Sequence, residues 1–128
     1  MNSRSRHWST LVLILTAVAA GGTDAVPVAA LDRAGALRVD YGGVRFIAGD
    51  SLLLMDGDWK PMDSPMREKP KLTDGVGGST ATFQSPLTTL SKTVRNLPDQ
   101  TEVTWQFTMK PDPRGGHVEL CLALPVEL

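Results

Sequence analysis

Few side chains in this chain are equipped for chemistry. Beyond the first twenty residues there is one histidine, His117, and one cysteine, Cys121. On a strand, four residues span about 13 Å, so the two share a face without being able to hold one ion. Asp56-Gly57-Asp58, with Asp50 or Asp63, offers the oxygens that Ca²⁺ takes, but the EF-hand spacing with its terminal glutamate is absent, and the stretch reads as a polar turn. No metal and no cofactor is therefore expected. Any Ser–His or Cys–His nucleophile must use His117, and there is no G-x-S-x-G elbow. Glycoside hydrolysis needs two carboxyls roughly 5–10 Å apart. Glu102 and Glu119, the acids on the strands, are set about 20 Å apart by the strand pairing expected below. Gly75-Val76-Gly77-Gly78-Ser79-Thr80 is glycine-rich but lacks the P-loop lysine. No catalytic residue is assigned.

Trp59 is the residue with the most interesting surroundings. It follows the turn Asp56-Gly57-Asp58 and precedes Lys60-Pro61. An indole beside acids and amides can stack on a pyranose face while its neighbours read the hydroxyls. Trp59, Asp56, Asp58 and Gln106, the last from a polar strand face, are the candidate ligand-binding residues. The structural alternative has Trp59 covering the end of the fold and Gln106 on an ordinary solvated sheet face.

The chain that must position these groups has 128 residues, enough for one small domain. Thirteen Lys and Arg against fourteen Asp and Glu give a net charge of −1, with no electrostatic footprint for nucleic acid. A single cysteine rules out an internal disulfide and a multi-cysteine zinc site.

Residues 1–20 read as an export signal. Arg4, Arg6 and His7 precede the ten-residue apolar run Leu11–Ala20 (LVLILTAVAA), and Gly21-Gly22-Thr23-Asp24 ends it. Small residues at Ala17-Val18-Ala19 suit a signal peptidase, with Thr23-Asp24-Ala25 as a later alternative. A membrane span needs about 20 apolar residues, so stable insertion after cleavage is not expected. Without the leader, 108 residues carry a net charge of −3. The expectation is a signal-peptide helix over 1–20, a linker over 21–35, a β domain over 36–128, and secretion or periplasmic residence in a bacterial envelope.

Within the β domain, short runs alternate with turn signals every eight to fifteen residues, the punctuation of antiparallel sheet. Residues 36–41 place Leu37, Val39 and Tyr41 on one face. Residues 44–47 and 51–55 suggest a hairpin across Ala48-Gly49-Asp50, and the unbroken Leu52-Leu53-Leu54 suggests a strand buried on both sides. Residues 61–78, with three prolines and three glycines, read as a long loop. Strands are expected over 80–84 and 88–95. The clearest pattern is residues 101–110, with Val103, Trp105, Phe107 and Met109 on one face and polar residues on the other. Residues 117–124 repeat it with Val118, Leu120, Leu122 and Leu124, and a hairpin pairing Met109 with Val118 keeps both apolar faces on one side. The apolar ending Leu124-Pro125-Val126-Glu127-Leu128 suggests a fragment cut from something longer, or an end tucked into the sheet.

The stretch TEVTWQFTMKPDPRGGHVELCLALPVEL, residues 101–128, resembles accessory β-sandwich regions of large secreted bacterial glycoside hydrolases. The resemblance covers about a quarter of the chain and carries no catalytic signature. It implies an all-β, antiparallel β-sandwich of short strands and an exported, non-catalytic, carbohydrate-associated module at the N-terminal side of a sugar-active protein. The alternatives are an envelope structural or protein-interaction domain and, resting on His117, a small secreted hydrolase. The ligand and the oligomeric state are not fixed by these residues.

Overall fold

The structure is a computed structural model that describes residues 8–16, 18–20 and 23–125. It is all-β, with every strand pair antiparallel. In chain order the strands are β1 Trp8–Thr16, β2 Val18–Ala20, β3 Thr23–Ala25, β4 Pro27–Leu31, β5 Leu37–Tyr41, β6 Val44–Ile47, β7 Gly49–Asp56 and β8 Pro61–Asp63. After a single 3₁₀ turn, Pro65–Arg67, come β9 Lys71–Gly75, β10 Gly78–Gln84, β11 Thr88–Asn96, β12 Gln100–Met109 and β13 Gly115–Ala123.

The strands form a five-stranded sheet in the order β1-β12-β11-β10-β9, two three-stranded sheets, β13-β7-β8 and β4-β5-β6, and the small pair β2-β3. One core joins the five-stranded sheet and the two three-stranded sheets. Leu37, Val39, Ile47, Leu52, Phe83, Leu90, Val103, Trp105 and Phe107 are buried together, with Val118 and Leu120 of β13 packed against them. Each large apolar side chain withdrawn from water contributes on the order of 2 kcal/mol. The alternation expected for residues 36–41 and 101–110 is realised: Leu37, Val39, Val103, Trp105 and Phe107 are buried and their neighbours are not.

Several expectations are corrected. β12 and β13 are not a hairpin: β12 lies between β11 and β1, while β13 pairs with β7, Val118 opposite Leu54. Their apolar faces share the core from two different sheets, so the parity of a common register never applies. Likewise β6 and β7 are not a hairpin. β6 pairs with β5, β7 pairs with β13 and β8, and the chain changes sheet at Ala48, whose N–H donates to the Ala123 carbonyl. Within β7, Leu52, Leu54 and Met55 are buried and Leu53 is half-buried. Residues 61–78 are not one loop, because β8, the 3₁₀ turn and β9 lie within them. β9 is exposed along its whole length, which is why it shows no apolar alternation.

The segment read as a linker contains β4, held to β5 and to the core through the buried Ala29. Asn96 clips it in place: its Oδ1 accepts the Ala29 N–H at 2.9 Å and its Nδ2 donates to the Ala29 carbonyl at 2.8 Å. The helix expected in residues 1–20 is also corrected over Trp8–Thr16. These residues form strand β1 along β12, with Leu13 and Leu15 packed on the core. Thr10, Val12, Ile14 and Thr16 alternate with Leu11, Leu13 and Leu15, and β-branched side chains at every second position favour a strand wherever an open edge accepts one. Val18–Ala20 form strand β2, paired with β3, and Ala17 and residues 1–7 lie outside the described residues. Among the described residues no helix is long and apolar enough to cross a membrane.

Candidate functional site

Trp59 sits in the tight connection between β7 and β8. The Trp59 N–H donates to the Asp56 carbonyl at 3.1 Å and the Asp56 N–H to the Lys60 carbonyl at 2.9 Å. Asp56 also closes the turn with its side chain, Oδ1 accepting the N–H of Asp58 at 2.8 Å and of Lys60 at 2.9 Å. This is the turn-plus-left-handed-residue connection that usually places glycine at its last position. Here that position holds Trp59, with φ of 61°, the one positive-φ residue other than glycine among those described. A bulky side chain there costs on the order of 1–2 kcal/mol.

The strained tryptophan is 60% exposed. Its ring lies on the imidazole of His117, centroids 3.7 Å apart and planes within 5° of parallel. His117 arrives there because β13 pairs with β7 and is bulged at Gly116, which puts His117 opposite Met55. A Cβ on Gly116 would stand 3.2 Å from the Gly57 backbone, so the β13 bulge and the β7–β8 turn approach closely where neither carries a side chain. One face of the indole is covered by the imidazole, and the other faces water.

Charge surrounds this pair. The Lys60 N–H, above all, holds the Asp56 carboxyl below the usual carboxylate range against some desolvation, helped by the Asp58 N–H and the positive charges of Lys60 and Arg114. Arg114 is itself held by Asp112, with Nη2 2.8 Å from Oδ2 and Nε 3.0 Å from Oδ1. That contact lowers the Asp112 pKa to about 2.

Of the four predicted ligand residues, Trp59, Asp56 and Asp58 share this turn. Asp56 faces inward to its own backbone, so it builds the turn. Gln106 does not join them. On β12 the neighbouring Trp105 reaches through the interior to Asp50 of β7, and alternation sends Gln106 to the opposite, outer face. The oxygens considered for Ca²⁺ are engaged elsewhere as well. Asp63 Oδ2 accepts from Ser85 Oγ at 2.6 Å and from the Leu87 N–H at 3.0 Å, and Asp50 is buried with Lys92. Among the described residues no group of three or more His, Cys, Asp or Glu is placed to hold a metal ion. Cys121 bonds Glu119 at 3.0 Å, and this contact with burial raises its thiol pKa, the opposite of an activated nucleophile.

Two features escaped the sequence reading. His117 is the stacking partner of Trp59, 58 positions away in the chain, and only the β7–β13 pairing joins them. The second is a polar cluster inside the core. Lys92 Nζ lies 2.8 and 2.9 Å from the two oxygens of Asp50, whose Oδ1 also accepts the Leu37 N–H and whose Oδ2 accepts the Trp105 indole N–H, each at 2.8 Å. Neither the Lys92 nor the Asp50 side chain has any exposed surface. A signal for it was present: Thr88, Leu90, Lys92 and Val94 occupy the inward positions of β11, and a lysine in such a series is a charge aimed at the core.

Comparison of the chain with protein-family models, with curated proteins and with solved structures returned no match.

Proposed function

We propose that this chain is an exported, non-catalytic β-sandwich module that binds carbohydrate at the β7–β8 turn. The observation that carries the reading is Trp59: an exposed indole kept in a left-handed backbone conformation, with one face backed by His117 and the other open. Strain of this kind at an exposed aromatic residue is characteristic of recognition sites. A flat indole flanked by Asp58, Lys60 and Arg114 suits a pyranose, whose C–H face stacks while its hydroxyls meet the charged rim. The core shared by the five-stranded sheet and the β7 and β5 sheets supports the sandwich reading. Export, and a place beside the catalytic domain of a sugar-active bacterial protein, rest on the composition of residues 1–20 and on the pattern of residues 101–128.

Electrophoresis of the native chain through gels containing soluble plant and bacterial polysaccharides tests this. At least one polysaccharide retards the chain, and Trp59→Ala abolishes the retardation without unfolding it. Unchanged mobility in every gel discards the carbohydrate reading.

A second reading, an envelope interaction domain, is favoured by one observation. β9 is an outer strand of the five-stranded sheet, exposed throughout, with its own Leu72 and the following Val76 open to water. Such an edge can accept a further strand. Light scattering after size exclusion separates the two readings, since a strict monomer argues against self-pairing.

A further inference from the structure

We infer that Lys92 and Asp50 form an intramolecular amide, a covalent cross-link between β11 of the five-stranded sheet and β7 of the neighbouring sheet. The structure already holds the amine nitrogen and the carboxyl together, as a bidentate pair. Lys92 Nζ stands 2.8 and 2.9 Å from the carboxyl oxygens with no solvent between, so no diffusive encounter is needed. The ammonium is poorly satisfied as a cation. Two of its protons face the same carboxylate, and among the described residues its further neighbours are Met66 Sδ at 3.8 Å and the Phe83 ring, centred 5.6 Å away. Burial lowers the Lys92 pKa against the opposing pulls of Asp50 and Asp32.

The carboxyl is equally prepared. The Leu37 N–H donates to Oδ1 and the Trp105 indole N–H to Oδ2, one fixed donor on each oxygen. Such donors stabilise the negative charge that develops when a nucleophile adds to the carbon. The steps balance with these two side chains alone. The ammonium first passes a proton to Oδ2, leaving a neutral amine and a neutral acid. The amine lone pair then adds to Cγ, and the oxyanion on Oδ1 is held by Leu37. A second nitrogen proton moves to the Oδ2 hydroxyl, the Cγ–Oδ2 bond breaks, and water departs. The product is one amide and one water, with nothing oxidised or reduced. Exclusion of solvent starves the reverse hydrolysis and removes two buried charges.

High-resolution intact mass of the purified, denatured full chain tests the proposal. The expected result is a mass lower by one water than the sequence requires, with a tryptic digest yielding a branched peptide that joins position 50 to an uncleaved Lys92. Lys92→Ala and Asp50→Ala restore the full sequence mass for each variant, whether or not they fold. A wild-type chain of full mass, with trypsin cutting after Lys92, overturns the proposal. So does a water loss that fragmentation maps to a cyclised aspartate at Asp56-Gly57 or Asp74-Gly75.

Discussion

The indole of Trp59 and the imidazole of His117 lie parallel at 3.7 Å, although the two residues belong to neighbouring strands' ends and to distant parts of the chain. Trp59 is held by its own turn, and His117 by the register of β13 on β7. Replacing one should therefore alter the surface without touching the core.

Substitutions at Trp59 separate binding from stability. Trp59→Gly removes the platform and also relieves the left-handed strain, so it is expected to leave the chain as stable as the parent or more so by up to about 1 kcal/mol. Trp59→Ala keeps the strain without the stacking and falls below Trp59→Gly. Both are expected to lose the polysaccharide retardation proposed for the parent chain. Thermal unfolding alongside affinity electrophoresis checks the pair.

Asp56 sets the response of the proposed site to acid. Its folded pKa is lowered from 3.8, so the turn's stabilisation is fully present above the ordinary carboxylate range and disappears as pH falls through the lower folded value. Saccharide affinity is expected to stay flat down to that range and to decline below it. Asp56→Asn retains an acceptor oxygen for the Lys60 and Asp58 N–H groups and flattens the acid limb. Affinity measured across acidic pH on both chains decides it.

In the core, Asp50 matters more than Lys92. Asp50→Leu leaves Lys92 Nζ, the Leu37 N–H and the Trp105 indole N–H without their acceptor, whereas Lys92→Met leaves Asp50 with two donors. Neither variant can form the amide, so both lose the cross-link, and each also removes one partner of the buried pair, which costs about 3–5 kcal/mol. Asp50→Leu is expected at the upper end, and Lys92→Met about 1 kcal/mol or more below it. Urea unfolding of the two variants gives the difference.

Gly78 tests the β10–β11 approach. Its φ is 121°, and a Cβ there would lie 2.1 Å from the Val94 carbonyl oxygen. Backbone must move to admit it, so Gly78→Ala is expected to destabilise the chain by about 3 kcal/mol. A shift in urea midpoint much smaller than that contradicts the close approach.

The proposed export bears on strand β1. Processing after residue 19 or at the later 23–25 site removes the strand that pairs with β12 from Trp8↔Thr108 to Thr16↔Gln100. N-terminal sequencing of the chain recovered from an exporting host is expected to find that cut. In the processed chain, the β12 amides facing β1 should exchange faster with deuterated solvent than those facing β11.

The strands with one wet and one dry face were legible in the residues themselves. Leu37 and Val39, or Val103, Trp105 and Phe107, alternate with polar neighbours because a half-buried strand needs nothing more than period two. The exposure of Trp59 was one of two readings the residues allowed, since a tryptophan among Asp and Lys after a turn can either stand in water or cover the end of the fold. Partnership was not legible. Whether β12 meets β13 or β11, and whether β6 continues into β7's sheet, depends on hydrogen bonds between backbones, which every residue offers alike. Parity excludes some registers but cannot choose between sheets. For the same reason, only the tertiary structure could lay His117 under Trp59 and set Lys92 against Asp50. Both contacts join residues far apart in the chain, and their energies come from burial and stacking that exist only after the sheets have closed on a common core.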